Sequence, residues 1–502
     1  MIQKIVVLGS GSAGLIAALT LKRKLPTVGV RIVRDPAIGV IGVGEGTTPN
    51  FVRHLFSYLG IKPDRFYALA KPTWKLGIRF KWGPRGSFNY TFDSDLDGES
   101  KEIPIGFHYL ENAENASYAA ALMNASKAFP RRKDGLPQIE SVGDGFAFNA
   151  YAFHVENVNL VEALEAECKE AGVKITDGKM VRADQGESGI EAIHLEDGQR
   201  IEADFFIDSS GFRGELISGV LEEPFVSFDK TLFCDRAVVG GWEREKEPIH
   251  PYTTAEQMDS GWAWQIEHEH HINRGYVFSS DLISDEDAFA EFKKKNPKIP
   301  DEPRFVPFNT GHRKRSWVKN VVAIGNSAGF VEPLEATALM VICFQCMGLA
   351  KMFKQSHLAP SESMRRLYNE IQQTQWDMIR DFLGLHYKLN TAMDTPFWKR
   401  CREETDLSGI QDALDFYEEN GPSPYFSRLI QDDNDFGADG FLIMLINQNA
   451  PCKTQFKLSK ADRKLWDEHR LQYARLAAKG LTVKESLKIT RDPRWRWQAP
   501  PR

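Results

Sequence analysis

The chain has 502 residues, 42% hydrophobic and 26% charged, enough apolar material for a sizeable core and unlike a disordered chain. Lys and Arg number 63 against 69 Asp and Glu, a net charge of −6 with no block of like charge, which leaves no electrostatic case for nucleic acid. The six cysteines are too sparse for a disulfide framework and fit a reducing compartment, so the cytoplasm is expected, and no apolar run is long enough to span a bilayer.

In chain order, Ile5 to Leu8 reads as a buried parallel strand, Gly9 to Gly14 as a tight turn and Leu15 to Lys24 as a helix, with Val30 to Val33 closing a βαβ unit. The glycines interrupt the apolar N-terminus and no small-residue cleavage site follows, so a strand and helix are expected there rather than a leader. Thr48 reads as an N-cap with Pro49 at the first helical position, Phe51, Leu55 and Leu59 on the buried face, and Gly60 as the stop. Residues 73–145 are rich in aromatics, Gly and Asp, which is strand and loop material; Phe88, Tyr90 and Phe92 alternate as one strand face. Asn157 is expected to cap a helix carrying Val161, Leu164 and Cys168 and ending at Gly172. Ile201 to Ile207 reads as one strand running into Asp208-Ser209-Ser210-Gly211.

Residues 225–315 again favour strands, Val321 to Ile324 is a buried strand, and a long apolar helix begins near Thr337. Cys343 and Cys346 form a CxxC inside that helix's apolar run, which fits buried structural thiols rather than a redox pair. His268, His270 and His271 lie beside a hairpin and read as solvated loop residues, not metal ligands. Beyond residue 360 helical patterns dominate. No repeat or low-complexity linker divides the chain. The expected architecture is α/β, with residues 1–360 as a dinucleotide-binding module carrying insertions at about 73–145 and 225–315, and residues 361–502 as a helical part packed on it.

Gly9-Ser10-Gly11-Ser12-Ala13-Gly14 is a complete GxGxxG between strand and helix. Gly9 permits the turn, Gly11 lets a pyrophosphate approach the backbone, and Gly14 lets helix and strand pack closely. Where an acid ordinarily holds the ribose, the chain has Arg34 followed by Asp35. Gly325-Asn326, after the second buried strand, matches in place the Gly-Asp with which flavoprotein hydroxylases contact the ribityl chain. No second GxGxxG offers a nicotinamide site, so the flavin must be reduced from elsewhere.

Several collinear segments then resemble flavin-dependent tryptophan halogenases. Gly42-Val43-Gly44-Glu45-Gly46-Thr47-Thr48-Pro49 is similar to their GVGEAT-P segment, and Trp74-Lys75-Leu76-Gly77 to the one holding their lysine. Asp208-Ser209-Ser210-Gly211-Phe212-Arg213-Gly214 resembles D-x-SGFRG. Gly325 to Ala338 resembles GDA-GF-EPLE-S-TG, and His386-Tyr387 with Asp394-Thr395-Pro396-Phe397-Trp398 a downstream HY and DT-FW. The resemblance implies a Rossmann-type FAD-binding domain of the glutathione-reductase-like class, with a β-rich substrate region and a helical C-terminal part. It implies an oxidoreductase that uses FAD as FADH2, O2, and chloride or bromide to halogenate an electron-rich aromatic, an indole or tryptophan-like compound. A separate NAD(P)H-dependent flavin reductase is implied as partner, and a homodimer is compatible with it.

By the same resemblance FAD is held by Gly9, Gly11, Ser12, Ala13, Gly14, Glu45, Gly325, Asn326 and Leu334, and halide by the amides of Thr337 and Ala338 at a helix start. Lys75 donates to hypohalous acid or forms a haloamine, while Glu335 stabilises the arenium cation and takes its proton. Trp262 and Trp264 match the W-x-W of W-x-W-x-I-P and keep substrate from the flavin; as residues i and i+2 they also pack on one strand face. The chain departs from the pattern at Glu267, where proline is expected, and at Ala336 and Ala338 in place of Ser and Gly. Asp439-Gly440-Phe441-Leu442 lacks the tyrosine pair of enzymes that hold free tryptophan, which favours indole or another small aromatic. The rival readings are a flavin-dependent aromatic hydroxylase and a flavin-binding protein without turnover; neither has use for both Lys75 and Glu335.

Overall fold

A computed structural model describes residues 1–39, 44–93, 116–139, 151–430, 436–454 and 459–497. Gly42 and Val43 of the glycine-glutamate segment, and parts of the 73–145 region, lie outside them.

The valine- and isoleucine-rich runs form a six-stranded sheet in the order Trp317–Val318, Val321–Ala323, Phe205–Asp208, Lys4–Leu8, Gly29–Arg34 and Lys174–Asp177. It is parallel except at the Trp317–Val318 edge. Near-continuous apolar strands suit a parallel sheet whose faces are both covered. Helix Ser12–Lys24 packs on one side against helices Asn157–Glu170 and Ala338–Gln355, and Leu15 to Leu19 are fully buried. Cys343 and Cys346 are buried free thiols in that layer.

A seven-stranded sheet stands beside this unit, ordered Arg304–Pro307, Arg236–Glu243, His271–Phe278, Gly261–Glu267, Thr253–Met258, Gly77–Lys81 and Phe88–Thr91. Thr253–Met258 and Gly77–Lys81 pair in parallel, joining two segments far apart in sequence. A small sheet of Glu45–Gly46, Ala152–Val155 and Thr73–Lys75 carries the lysine. Beyond residue 360 the described residues are mainly helical, beginning with the 27-residue helix Glu362–Lys388.

Three local expectations need correction. Asn157 is the first helical residue, not the cap; Glu156 holds that place, and the Asn157 amide instead donates to Glu45 Oε1 at 3.0 Å. The run Ile201 to Ile207 divides in two. Arg200–Glu202 joins an antiparallel ribbon with Gly189–Leu195, and Phe205–Asp208 enters the parallel sheet, with Asp204 Oδ2 between them accepting the amides of Gln3 and Lys4 at 2.8 Å. The 73–145 region also contains a helix, Tyr118–Asn124, capped by Ser117. Thr48 and Pro49 do open a helix, though Thr48 caps it with its carbonyl rather than its hydroxyl.

Candidate active site

The glycine turn borders a cleft of ≈ 460 Å³ lined by Gly9, Gly11, Ser12, Ala13, Asp35, Glu45, Asn326 and Ala338 among others. A Cβ on Gly14 would meet Gly9 O at 2.1 Å, and one on Gly9 (φ +109°) Ser209 O at 2.4 Å, so both positions require glycine. Gly11 faces open space, with nothing within 4 Å of an added Cβ, and it is the N-cap of Ser12–Lys24 with no side-chain cap. The helix's first amides are therefore left to the cleft, the donor set a pyrophosphate needs. Gly325 (φ +69°) packs where a Cβ would lie 2.7 Å from Ala13 Cβ, so the two glycine motifs touch, and Asn326 projects into the cleft. Asp208 fastens the segment behind the turn, accepting the amides of Ser210, Leu216 and Ile217 at 2.8–3.0 Å. Arg34 is committed to Glu165 and Asp177 at 2.7 and 2.6 Å, which leaves Asp35 at the lip, its Oδ1 accepting the Ala37 amide. The residues fit a dinucleotide.

Lys75 ends its strand with its side chain fully buried. Its ammonium donates to Thr47 O at 3.2 Å and lies 5.3 Å from the Phe92 ring centroid. Burial lowers the Lys75 pKa to about 7, against the pull of the Glu335 carboxylate. A Cβ on Gly46 would sit 3.3 Å from Lys75 Nζ and 3.5 Å from Ala336 Cβ, which ties the ammonium to the neighbour of Glu335. Ala336 is left-handed at φ +55°, and this turn presents Glu335 before helix Ala338–Gln355 starts. Burial pushes the Glu335 carboxyl up, opposed by His386 and Lys75.

The cleft and the lysine are neighbours along two strands of chain. Glu45 lines the cleft and Gly46 meets Lys75; Ala338 lines the cleft and Ala336 faces the lysine, with buried Thr337 between. Leu334 is buried in the same turn. Most of the sequence-derived residues thus gather at the cleft or at the buried lysine beside it.

Trp262 and Trp264 are buried on one face of Gly261–Glu267, ring centroids 6.1 Å apart, and a Cβ on Gly275 would penetrate the Trp264 indole. Trp262 Nε1 donates to Glu332 Oε2 at 3.3 Å. Glu267, where the related pattern has proline, is buried in an ion pair with Arg244 at 2.5 Å. His268 is not solvated: it is buried against Gly44, hydrogen-bonded to Asn273 at 3.0 Å, its pKa lowered by burial to about 3, whereas His270 is exposed. Phe88 stacks on Phe80 in the core, and Phe92 alone of its trio faces Lys75. Phe436 and Phe441 pack on Phe382, placing the Asp439-Gly440 helix behind the site.

Sequence reasoning missed two acids and bases. His386 was visible only as half of an HY pair, yet its Nε2 lies 2.8 Å from Glu335 Oε1. Glu332, buried beside it, has its pKa raised by burial to about 7. The separation of His386 from Glu335 by some fifty positions hides the pair from any local motif.

Comparison with known proteins gives the family. A family model described as tryptophan halogenase matches residues 4–474. Tryptophan 7-halogenase KtzQ of Kutzneria sp. (strain 744) is 33% identical over 444 residues, 84% of this chain and 82% of that protein. Tryptophan 7-halogenase RebH of Lentzea aerocolonigenes is 29% identical over 83% of this chain and 82% of that protein. Among solved structures, MibH, a lanthipeptide tryptophan 5-halogenase, superposes with a TM-score of 0.87 at 33% identity, covering 97% of this chain and 93% of that one. BrvH, a flavin-dependent halogenase from Brevundimonas sp. BAL3, gives 0.83 at 27% identity, covering 97% and 99%. The chain belongs to the tryptophan halogenase family and is an enzyme of the flavin-dependent halogenase type.

Proposed function

We propose that the enzyme uses FADH2, O2 and chloride or bromide to place a halogen on an indole ring, and that a separate NAD(P)H-dependent flavin reductase supplies the reduced flavin. Gly9 to Gly14, Glu45, Asn326 and Leu334 would hold FAD, which in its reduced form would activate O2, the oxidant that converts halide to hypohalous acid. The amides of Thr337 and Ala338, at the partly positive start of an 18-residue helix, suit the halide. Buried Trp262 and Trp264 suit a wall that keeps the aromatic substrate from the flavin.

The observation that carries this reading is a buried lysine and a buried carboxyl brought to one place: Gly46 approaches both Lys75 Nζ and Ala336, the neighbour of Glu335, and both side chains are buried. Flavin binding alone needs neither, and ring hydroxylation has no use for a donor aimed at hypohalous acid. The ammonium donates to the hypohalous oxygen and protonates it as it leaves. Glu335 opposes the positive charge that develops on the ring and accepts the ring proton. KtzQ and RebH are named for tryptophan and MibH for a lanthipeptide, and the part common to those substrates is the indole. The test is mass spectrometry of free indole, tryptophan, a tryptophan-containing peptide, a phenol and a pyrrole, each incubated with bromide, FAD and a flavin reductase. A monobrominated indole-bearing product that vanishes without bromide is expected; hydroxylation, or no product from any member, overturns the proposal.

A further inference from the structure

His386 lies on helix Glu362–Lys388, wholly buried, its ring between Phe80 and Phe382 at centroid distances of 5.2 and 4.9 Å. Its backbone carbonyl accepts from Trp82 Nε1 at 3.0 Å, which pins the residue from a second element. Nδ1 lies 2.8 Å from Phe382 O, and a carbonyl can only accept, so Nδ1 carries a hydrogen. Nε2 faces Glu335 Oε1 at 2.8 Å, a contact that also requires a proton on one side or the other.

Two arrangements satisfy this geometry. In one, neutral His386 accepts from a protonated Glu335; in the other, an imidazolium donates to a carboxylate. Only the second leaves Glu335 able to take up a proton, on Oε2. A second buried carboxyl, Glu332, lies within electrostatic reach of the imidazole.

We propose that Glu335 and His386 work as a pair sharing one proton, with His386 as a positioning residue whose charge keeps Glu335 ionised in a dry site and turns Oε2 toward the ring. The inference rests on the halogenase reading above. In the step it supports, the halogen–oxygen bond of hypohalous acid breaks as a halogen–carbon bond forms. The departing hydroxide takes a proton from the Lys75 ammonium and leaves as water. The ring carbon loses its proton to Oε2, and the pair returns a proton to the Lys75 amine. The sum is aromatic C–H plus hypohalous acid giving aromatic C–halogen plus water, with both residues restored. Ionisable groups facing the pair are Lys75 from its strand, Glu332 from the turn before Glu335, and Tyr387 with Cys234 beyond Glu332.

The test combines a resting-state measurement with kinetics. Nitrogen-15 NMR of histidine-labelled enzyme at pH 7, with the His386 signals assigned by their loss in His386→Gln, is expected to show both ring nitrogens protonated. It is also expected to show reversion to a neutral Nδ1–H ring in Glu335→Gln. A neutral His386 with bare Nε2 in the wild type overturns the proposal. Glutamine at 386 can still donate to Oε1 but carries no charge. With ring-deuterated indole or tryptophan and bromide, His386→Gln is expected to lower kcat about 10- to 100-fold. KM is expected to stay within about twofold, flavin binding unaltered, and a primary deuterium isotope effect absent from the wild type to appear. Unchanged kcat without an isotope effect overturns the pairing while leaving Glu335 as base. Full activity in Glu335→Gln overturns the role of Glu335 and the pairing with it.

Discussion

Lys75 shows how a side chain costly to the fold can serve the proposed reaction. Its ammonium pKa falls from 10.5 to about 7 on burial. Between those values the unfolded chain binds the additional proton, so this group makes stability rise with pH across that window and leaves the full cost of a buried charge below it. Lys75→Met is therefore expected to raise the melting temperature, with the gain over wild type largest near pH 6 and shrinking toward pH 10; a gain constant with pH would contradict the buried-charge account. Lys75→Ala is expected to abolish halogenation while flavin absorbance on the protein stays intact. Glu335→Gln should slow turnover by about 10² or more. Because the proposed donor is the ammonium, the rate should decline as pH rises through about 7, and because burial raises the Glu335 pKa, it should also decline on the acid side. A rate that instead climbs above pH 7 would favour the neutral amine and haloamine chemistry.

At the level of elements, the glycine turn separates shape from binding. Gly14→Ala would drive a methyl into Gly9 O and is expected to destabilise the fold by more than ~2 kcal/mol. Gly11→Ala meets nothing and should leave the melting temperature unchanged while weakening flavin affinity, because its methyl occupies the path of the pyrophosphate. Equal losses of stability in both variants would contradict this division. Much of this unit was legible in sequence because a strand, a tight turn and a helix are local: Gly9 to Gly14, Val30 to Val33, Gly60 and the helix from about 337 stand where periodicity and glycine placed them. What escaped were long-range partners. Asn157 has the right chemistry for a cap but is drawn to Glu45, more than a hundred residues earlier; His268 is polar by composition but buried by Gly44; and Glu267 breaks a proline pattern because Arg244 is there to receive it. Glu267→Ala should cost about 3 kcal/mol, since it removes the carboxylate bound to the Arg244 guanidinium and leaves that charge held by the carbonyls of Glu247, Pro248 and His268; urea unfolding would measure this.

Across the whole molecule, the proposed reactive centre draws on distant parts of the chain: Gly46 and Lys75 from the small sheet, Glu335 from the turn after the parallel sheet, and His386 from the first C-terminal helix. No described helix is long and apolar enough to cross a membrane. Two wider clefts, of ≈ 1290 and ≈ 1160 Å³, flank Trp495 to Trp497, and neither is lined by Lys75 or Glu335. Size alone would have pointed away from the proposed chemistry, which is argued from buried charge. The lines Glu45–Gly46 and Ala336–Ala338 each pass from the flavin cleft to the lysine within one to three residues. On the proposed reaction, a septum that thin would let oxidised halogen reach the lysine without entering bulk water. Millimolar thiol in the buffer should therefore leave product yield nearly untouched in the wild type. Loosening the partition at Thr337, as in Thr337→Gly, should let the oxidant stray and mark the enzyme's own methionines as sulfoxides.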